Sequence, residues 1–314
     1  MQAQNIPQTI LELSAPRLAT YRSFYAPAND SELYGLYCWN ENIASLFRFL
    51  INSVEIAMRN GFHRELSLRY GATAGTASSD WYNELALTGK TLDNIQWVTH
   101  AWRRGRPTAP LVPAPSPDTV VAKQTFGFWK NLFDVQTTLG GANVPWGSIM
   151  PTLLPNHRQR QPGYWSLTRR GEIWARIDLV GNLRNRIAHL EPIWKSGPLY
   201  EEARAARGYS PLVIDAPPAT PADALARLRL TRDRSLELLS WFSAARADDF
   251  LRSEAHHRLN FLLSEAGLEA CRRQREHQTT SLILLGTDKV KRKLKRQAVQ
   301  ITEGGRPVAM SYPT

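Results

Sequence analysis

From Glu172 to Lys195 the apolar residues return at the spacing of an α-helix, and no other stretch constrains the fold so tightly. At about 100° per residue, Ile173, Ile177, Val180, Leu183, Ile187 and Leu190 share one arc. Asp178, Asn182, Asn185 and His189 line a second, polar arc. Pro192 cannot continue a helix, so the helix is expected to stop just before it. Arg184 falls at the edge of the apolar arc, beside Ile177 and Ala188, where a guanidinium is costly unless something pairs with it. Two readings stay open. Arg184 forms a buried ion pair and His189 caps the helix, or Arg184, Asn185 and His189 display a cation, an amide and an imidazole together near a helix end.

Residues 31–70 read as one long helix or two abutting ones, with Ile43, Phe47, Leu50, Val54, Met58 and Phe62 at helical spacing. Asn29, Asp30 and Ser31 offer its N-cap. Asn52, Glu55, Arg59 and His63 form a polar line along it. Glu55 and Arg59 make either a surface ion pair of a few tenths of a kcal/mol or a polar face set against the 172–195 helix, holding its Arg or His.

The run Arg184-Asn185-Arg186-Ile187-Ala188-His189 resembles the Arg-to-His motif of HEPN domains, in which a polar residue, often Asn, follows the Arg. The wider string Leu183 to Ile193 is similar to the Abi-like (abortive infection, AbiD/AbiF type) branch of that superfamily. Trp39-Asn40, Leu46-Phe47 and Val54-Glu-Ile-Ala-Met-Arg-Asn60 are similar to the N-terminal block of the same branch, in the same order along the chain. The resemblance covers roughly residues 30–245 and implies an all-α, HEPN-like helical bundle with additional helices. It also implies an endoribonuclease of phage defence, a toxin-type effector whose RNA cleavage stops the infected cell. Arg184, Asn185 and His189 would be catalytic, supported by Glu55, Arg59 and Asn60. The partners it implies are an RNA substrate, a second copy of the chain in a composite site, and an inhibitory RNA or protein antitoxin.

That residue set suits RNA cleavage by the substrate's own 2′-hydroxyl. Histidine as a residue type moves protons near neutral pH. Arginine stays charged and holds a phosphorane with paired hydrogen bonds. The products would be a 2′,3′-cyclic phosphate and a 5′-hydroxyl. One histidine cannot serve easily as both base and acid on opposite sides of the phosphorus, and HEPN ribonucleases are similar in using two motif copies across a dimer or pseudo-dimer. The rival class is a non-catalytic helical module that binds RNA or a protein partner within a defence or toxin–antitoxin system.

Composition bounds the rest. The chain of 314 residues carries +11 net charge, which points to a polyanionic partner. Cys38 and Cys271 make no disulfide framework and fit a reducing compartment. With no apolar run long enough to span a membrane and no signal-peptide pattern, a cytoplasmic protein is expected. No P-loop, dinucleotide fingerprint, HExxH or nucleophile elbow occurs, so no cofactor and no metal are expected.

Residues 8–24 offer a first helix, and residues 103–119 a proline-rich, extended connector. Residues 119–139 read as a helix centred on Phe126 to Phe133, and 140–163 as irregular. Arg158, Arg160, Arg169 and Arg170 precede the central helix and could approach a phosphate backbone. Residues 222–250 are helical, which places a helical domain at 1–255 and a basic extension at 256–314. From Cys271 onward the chain has ten Lys or Arg against three Asp or Glu. Its densest run supplies Lys289, Lys291, Arg292, Lys293, Lys295 and Arg296, either a nucleic-acid contact or a solubilising tail. Ser281–Leu285 and Ala298–Ile301 are short apolar runs, a candidate hairpin.

Overall fold

A computed structural model describes residues 5–205, 208–273, 278–281, 292, 298–303 and 306–312. The chain is mostly helical, with twelve α-helices and seven short strands among the described residues. No helix among them is long and apolar enough to cross a membrane. The first helical candidate divides into α1 (Ile6–Glu12) and α2 (Ala15–Tyr25) at Ser14, whose φ of 66° no helix interior accepts. Then comes α3 (Asp30–Ser67), 38 residues and about 57 Å long at the helical rise. Asn29 starts it, its side chain accepting from Glu32 N at 3.0 Å. Leu36, Ile43, Phe47, Leu50, Val54, Met58 and Phe62 run along it wholly buried.

Everything else is built around that rod. A 3-10 turn (Trp81–Asn83) precedes α4 (Gly89–Thr99), a hairpin of β1 (His100–Arg103) and β2 (Arg106–Pro110), α5 (Pro117–Ala122), α6 (Phe126–Asn131), α7 (Trp146–Leu153) and α8 (Leu167–Ala188). A two-stranded ribbon, β3 (Leu199–Tyr200) and β4 (Val213–Asp215), leads to α9 (Pro221–Phe242), α10 (Ala244–Leu251), α11 (Glu254–Leu262) and α12 (Glu265–Arg272). Helices α2, α7, α8, α9, α11 and α12 all pack on α3.

The expected helix over 119–139 is broken. Phe126, Phe128, Trp129, Leu132 and Phe133 are all buried, but Thr125 is in extended backbone at ψ 159° and separates α5 from α6. The chain instead makes α5, then α6, then a 3-10 turn at Leu132–Asp134. The stretch expected to be irregular contains α7, with Trp146, Ile149, Met150 and Leu153 buried at helical spacing and Pro151 inside it. The proline-rich connector is partly ordered as β2 and α5. The helix over 222–250 breaks at Ser243, whose side chain caps α10 by accepting from Arg246 N at 3.3 Å.

Beyond α10 the core continues. Phe261, Leu262, Leu263 and Cys271 are buried, and Trp39 Nε1 donates to Leu262 O at 2.8 Å. The boundary expected at residue 255 therefore falls inside the packed body. Three strands follow: β5 (Gln278–Ser281), β6 (Val299–Glu303) and β7 (Arg306–Ser311). β5 pairs with β6 in parallel and β6 with β7 antiparallel, so Ser281 and Ile301 do not belong to one hairpin. Residues 282–285 lie outside the described residues.

Candidate functional site

Ser166 starts α8, its side chain accepting from Arg169 N at 3.4 Å, so that the helix begins at Leu167, five residues before Glu172. Ile173, Ile177, Val180, Leu183 and Ile187 form its buried stripe. At the far end His189 is the C-cap, and its backbone N–H returns to Asn185 O at 2.9 Å. Leu190 then takes the left-handed conformation at φ 55°, and Glu191 N donates to Arg186 O at 2.8 Å. This is the helix stop that glycine usually makes.

Three bonds pin the turn that holds His189. Arg17 Nη1 donates to Leu190 O at 2.9 Å, Arg186 Nη2 to Pro192 O at 2.7 Å, and Ile193 N to Asn40 Oδ1 at 2.9 Å. Asn40 is buried on α3, so the two sequence blocks quoted above meet here. Trp194 closes the turn from below, packed against Tyr21, Phe24 and Tyr25.

The side chains of Arg184, Asn185 and His189 are exposed, and among the described residues none has a hydrogen-bond or ion-pair partner. The buried ion pair open to Arg184 in the sequence is not formed. Arg184 edges a cleft of about 330 Å³ between α8 and α3, opposite Arg48, Asn52 and Glu55. Asn185 opens on another side of α8, into a recess where Lys130 pairs with Asp178, and Asn182 Nδ2 donates to Asp178 Oδ2 at 3.0 Å. His189 stands at the helix end. The helical rotation explains the split, because Arg184 and His189 lie about 140° apart around the axis. One chain therefore does not gather the three into one pocket.

Of the supporting residues, Glu55 faces Arg184 across the cleft. Arg59 and Asn60 do not line it, and Arg59 Nε donates to Asn60 Oδ1 at 3.3 Å. His63, on the same polar line, points elsewhere. Its Nδ1 accepts from Trp81 Nε1 at 2.9 Å, and Nε2 faces Ser78 and Asp118 at 3.1 and 3.2 Å. Burial pushes its pKa below the usual imidazole range, against the opposing pull of Asp118. His63 is a support of the fold.

Arg48 is what sequence reasoning missed. It is exposed, unpaired among the described residues, and seven positions before Glu55, two turns along one helix face. The cleft thus presents two guanidinium groups and an amide as donors suited to a phosphate diester, with the Glu55 carboxylate, an acceptor, beside them. Arg169 and Arg170 lie within α8 and do not precede it. Arg169 pairs with Glu172 at 2.6 Å. Arg170 is buried over Trp146, donates to Phe133 O and Gln136 Oε1 at 3.0 Å, and has its pKa pushed down to about 10 by that burial. Arg160 donates to Pro155 O, and Arg158 is exposed. Within the basic run Arg292 is exposed, while Lys289, Lys291, Lys293, Lys295 and Arg296 lie outside the described residues.

A larger hollow of about 680 Å³ lies at the other end of α8, under the 201–205 segment. Its charges are spent internally: Arg204 pairs with Asp134, and Tyr209 donates to Glu201. No family model, no curated protein and no solved structure matches this chain.

Proposed function

We propose that the chain is a metal-independent endoribonuclease of the HEPN type, an abortive-infection or toxin-type effector acting as a homodimer. One observation carries the reading. Helix α8 holds five arginines, and four of them are bonded: Arg169 to Glu172, Arg170 to Phe133 O and Gln136, Arg176 to Glu202 and Glu237, Arg186 to Pro192 O. Among the described residues Arg184 alone of the five has no side-chain partner, and it shares the last turns of the helix with the equally open Asn185 and His189. A solvent-facing arginine in a basic protein is commonplace. One beside an unpaired Asn and His, at the end of a helix whose closing turn is held by three long-range or capping bonds, supports the reading.

In this reading a histidine takes the proton from the 2′-hydroxyl as its oxygen forms the new bond to phosphorus. The bond from phosphorus to the 5′-oxygen breaks, and that oxygen receives a proton from the second histidine. Arg184, aided by Arg48, holds the charge that builds on the phosphoryl oxygens. Asn185 orients the imidazole or the phosphate. The separation of Arg184 from His189 around α8 supports the dimer, because a second chain would have to complete the set that one chain does not gather. RNA is the substrate, and an inhibitory RNA or protein partner would restrain it.

His189→Ala and Arg184→Ala each remove cleavage while the protein stays folded and dimeric. Loss of the proton-transfer group is expected to cost about 10²–10⁴-fold. Mixed wild-type and His189→Ala dimers are impaired as well. His189→Ala cleaving at the wild-type rate points instead to the non-catalytic binding module.

A further inference from the structure

The β1–β2 hairpin is built at a cost that the fold does not explain. Its loop is Arg104-Gly105, with φ of 51° and 75°, the two-residue turn that needs positive φ at both central positions. Asn or Asp is the favoured first residue there, and arginine pays a steric penalty for the left-handed conformation. Arg103 and Arg106 face each other directly across the strands, a like-charge pair that weakens a hairpin. All three arginines are exposed and, among the described residues, their side chains have no hydrogen-bond or ion-pair partner. From Asn94 to Pro117 the sequence has no Asp or Glu to balance them.

On the α4 side of the ribbon lies an aromatic pair. Trp97, at the end of α4, is 68% exposed, and its ring lies 4.9 Å from that of Trp102 on β1. Trp102 is fixed in place by donating Nε1 to Gln96 O at 3.2 Å, and it faces Pro107 across the strands. Leu111 N closes the ribbon onto Thr99 O at 2.9 Å. The ribbon therefore carries the indole pair on its α4 side and three unneutralised guanidinium groups at its tip, Arg103 and Arg106 on the alternate face of the strands from Trp102, so that a strand reaching both would cross the ribbon's edge.

We propose that this hairpin is a binding surface for single-stranded RNA, with Arg103, Arg104 and Arg106 on the phosphates and an unpaired base stacked on Trp97. The chemistry selects the strand. Guanidinium groups track a phosphate backbone, and an exposed indole needs a base whose face is open, which a duplex does not offer. The choice of RNA over DNA rests on the ribonuclease reading, but binding itself does not. The hairpin would hold substrate apart from the Arg184 cleft and set which sequences linger long enough to be cut.

The test uses the full chain in EDTA and a labelled 2′-O-methyl oligoribonucleotide of mixed sequence, which lacks the attacking hydroxyl, so binding is read whether or not the protein cleaves RNA. Anisotropy titrations across a salt series give the affinity and its salt slope. Replacing all three arginines, Arg103→Gln, Arg104→Gln and Arg106→Gln, lowers the log–log slope by about 2, at roughly 0.7 per single-strand phosphate contact. Trp97→Ala weakens binding roughly 5- to 150-fold without changing the slope, and Trp97→Phe keeps most of the affinity. An unchanged slope in the triple variant, or wild-type affinity in Trp97→Ala, overturns the proposal. So does a duplex of the same sequence that binds as tightly as the single strand. A polyglutamate peptide that displaces the oligonucleotide at equal charge would assign the surface to an acidic protein partner instead. Loss of cleavage in His189→Ala with these binding results intact separates the two proposals.

Discussion

Asn40 shows how a single buried amide can position a site. Its Oδ1 accepts from Ile193 N at 2.9 Å in the interior, just beyond the turn that carries His189. Asn40→Ala leaves that N–H without a partner, and we expect it to cost about 1–3 kcal/mol in denaturant unfolding. Cleavage should fall more than stability alone explains, because the turn loosens. Asn40→Asp, which retains the acceptor but buries a carboxylate beside Glu41 Oε1, should recover little of the loss. His63 gives a second residue-scale expectation. Burial holds its folded pKa low, so the unfolded chain binds the proton more readily than the native one. The stability it contributes is present above the ordinary imidazole range and is lost as pH falls through that range toward the lower folded value. His157 and His256 are shifted in the same direction, chiefly by burial. The melting temperature should therefore drop as the pH is lowered through this window, and His63→Gln, which still accepts from Trp81, should flatten the drop. A steeper drop in that variant contradicts the assignment.

The long helices were legible as sequence because their burial is periodic. α3 and α8 each bury one continuous stripe, and nothing inside either breaks it. Elements that are only six residues long, as α5 and α6 are, or that carry a proline, were not. Pro151 masks the regular Trp146, Ile149, Met150, Leu153 spacing of α7. Pro107 and Pro110 mask β2, a ribbon strand in which proline is tolerated because no central ladder is broken. The open cluster on α8 could be picked out from residue types. The partnership of Arg48 with Arg184 could not, since it depends on how α3 and α8 are rotated against each other. At this scale the hairpin yields a further prediction. Arg104→Asn relieves the left-handed arginine and should raise stability by up to about 1 kcal/mol, read by thermal unfolding, while weakening oligonucleotide binding. A destabilised Arg104→Asn would mean that Arg104 has a structural role.

For the whole molecule, the proposed reaction requires two chains, since one histidine per chain must become two per site, and Leu190, 54% exposed beside His189, is an apolar residue open to such a contact. Sedimentation at micromolar concentration should show a dimer, and a strict monomer that still cleaves RNA would contradict the arrangement. The basic run around Arg292 cannot be tested by removing the C-terminal segment, because Ala298 and Val299 are buried in the body. Charge-neutralising substitutions from Lys289 to Arg296 are the suitable change, and they should lower the salt slope of RNA binding while helical content holds.

The central claim is the reaction itself, and the chemistry of the cut ends tests it most directly. RNA is incubated with the wild-type protein in EDTA, and the termini of the fragments are identified. The account predicts 5′-hydroxyl ends paired with 2′,3′-cyclic phosphates, absent when His189→Ala replaces the wild type. Fragments with 5′-phosphate ends, cleavage that depends on Mg²⁺, or the same ends at the same rate from His189→Ala would contradict it.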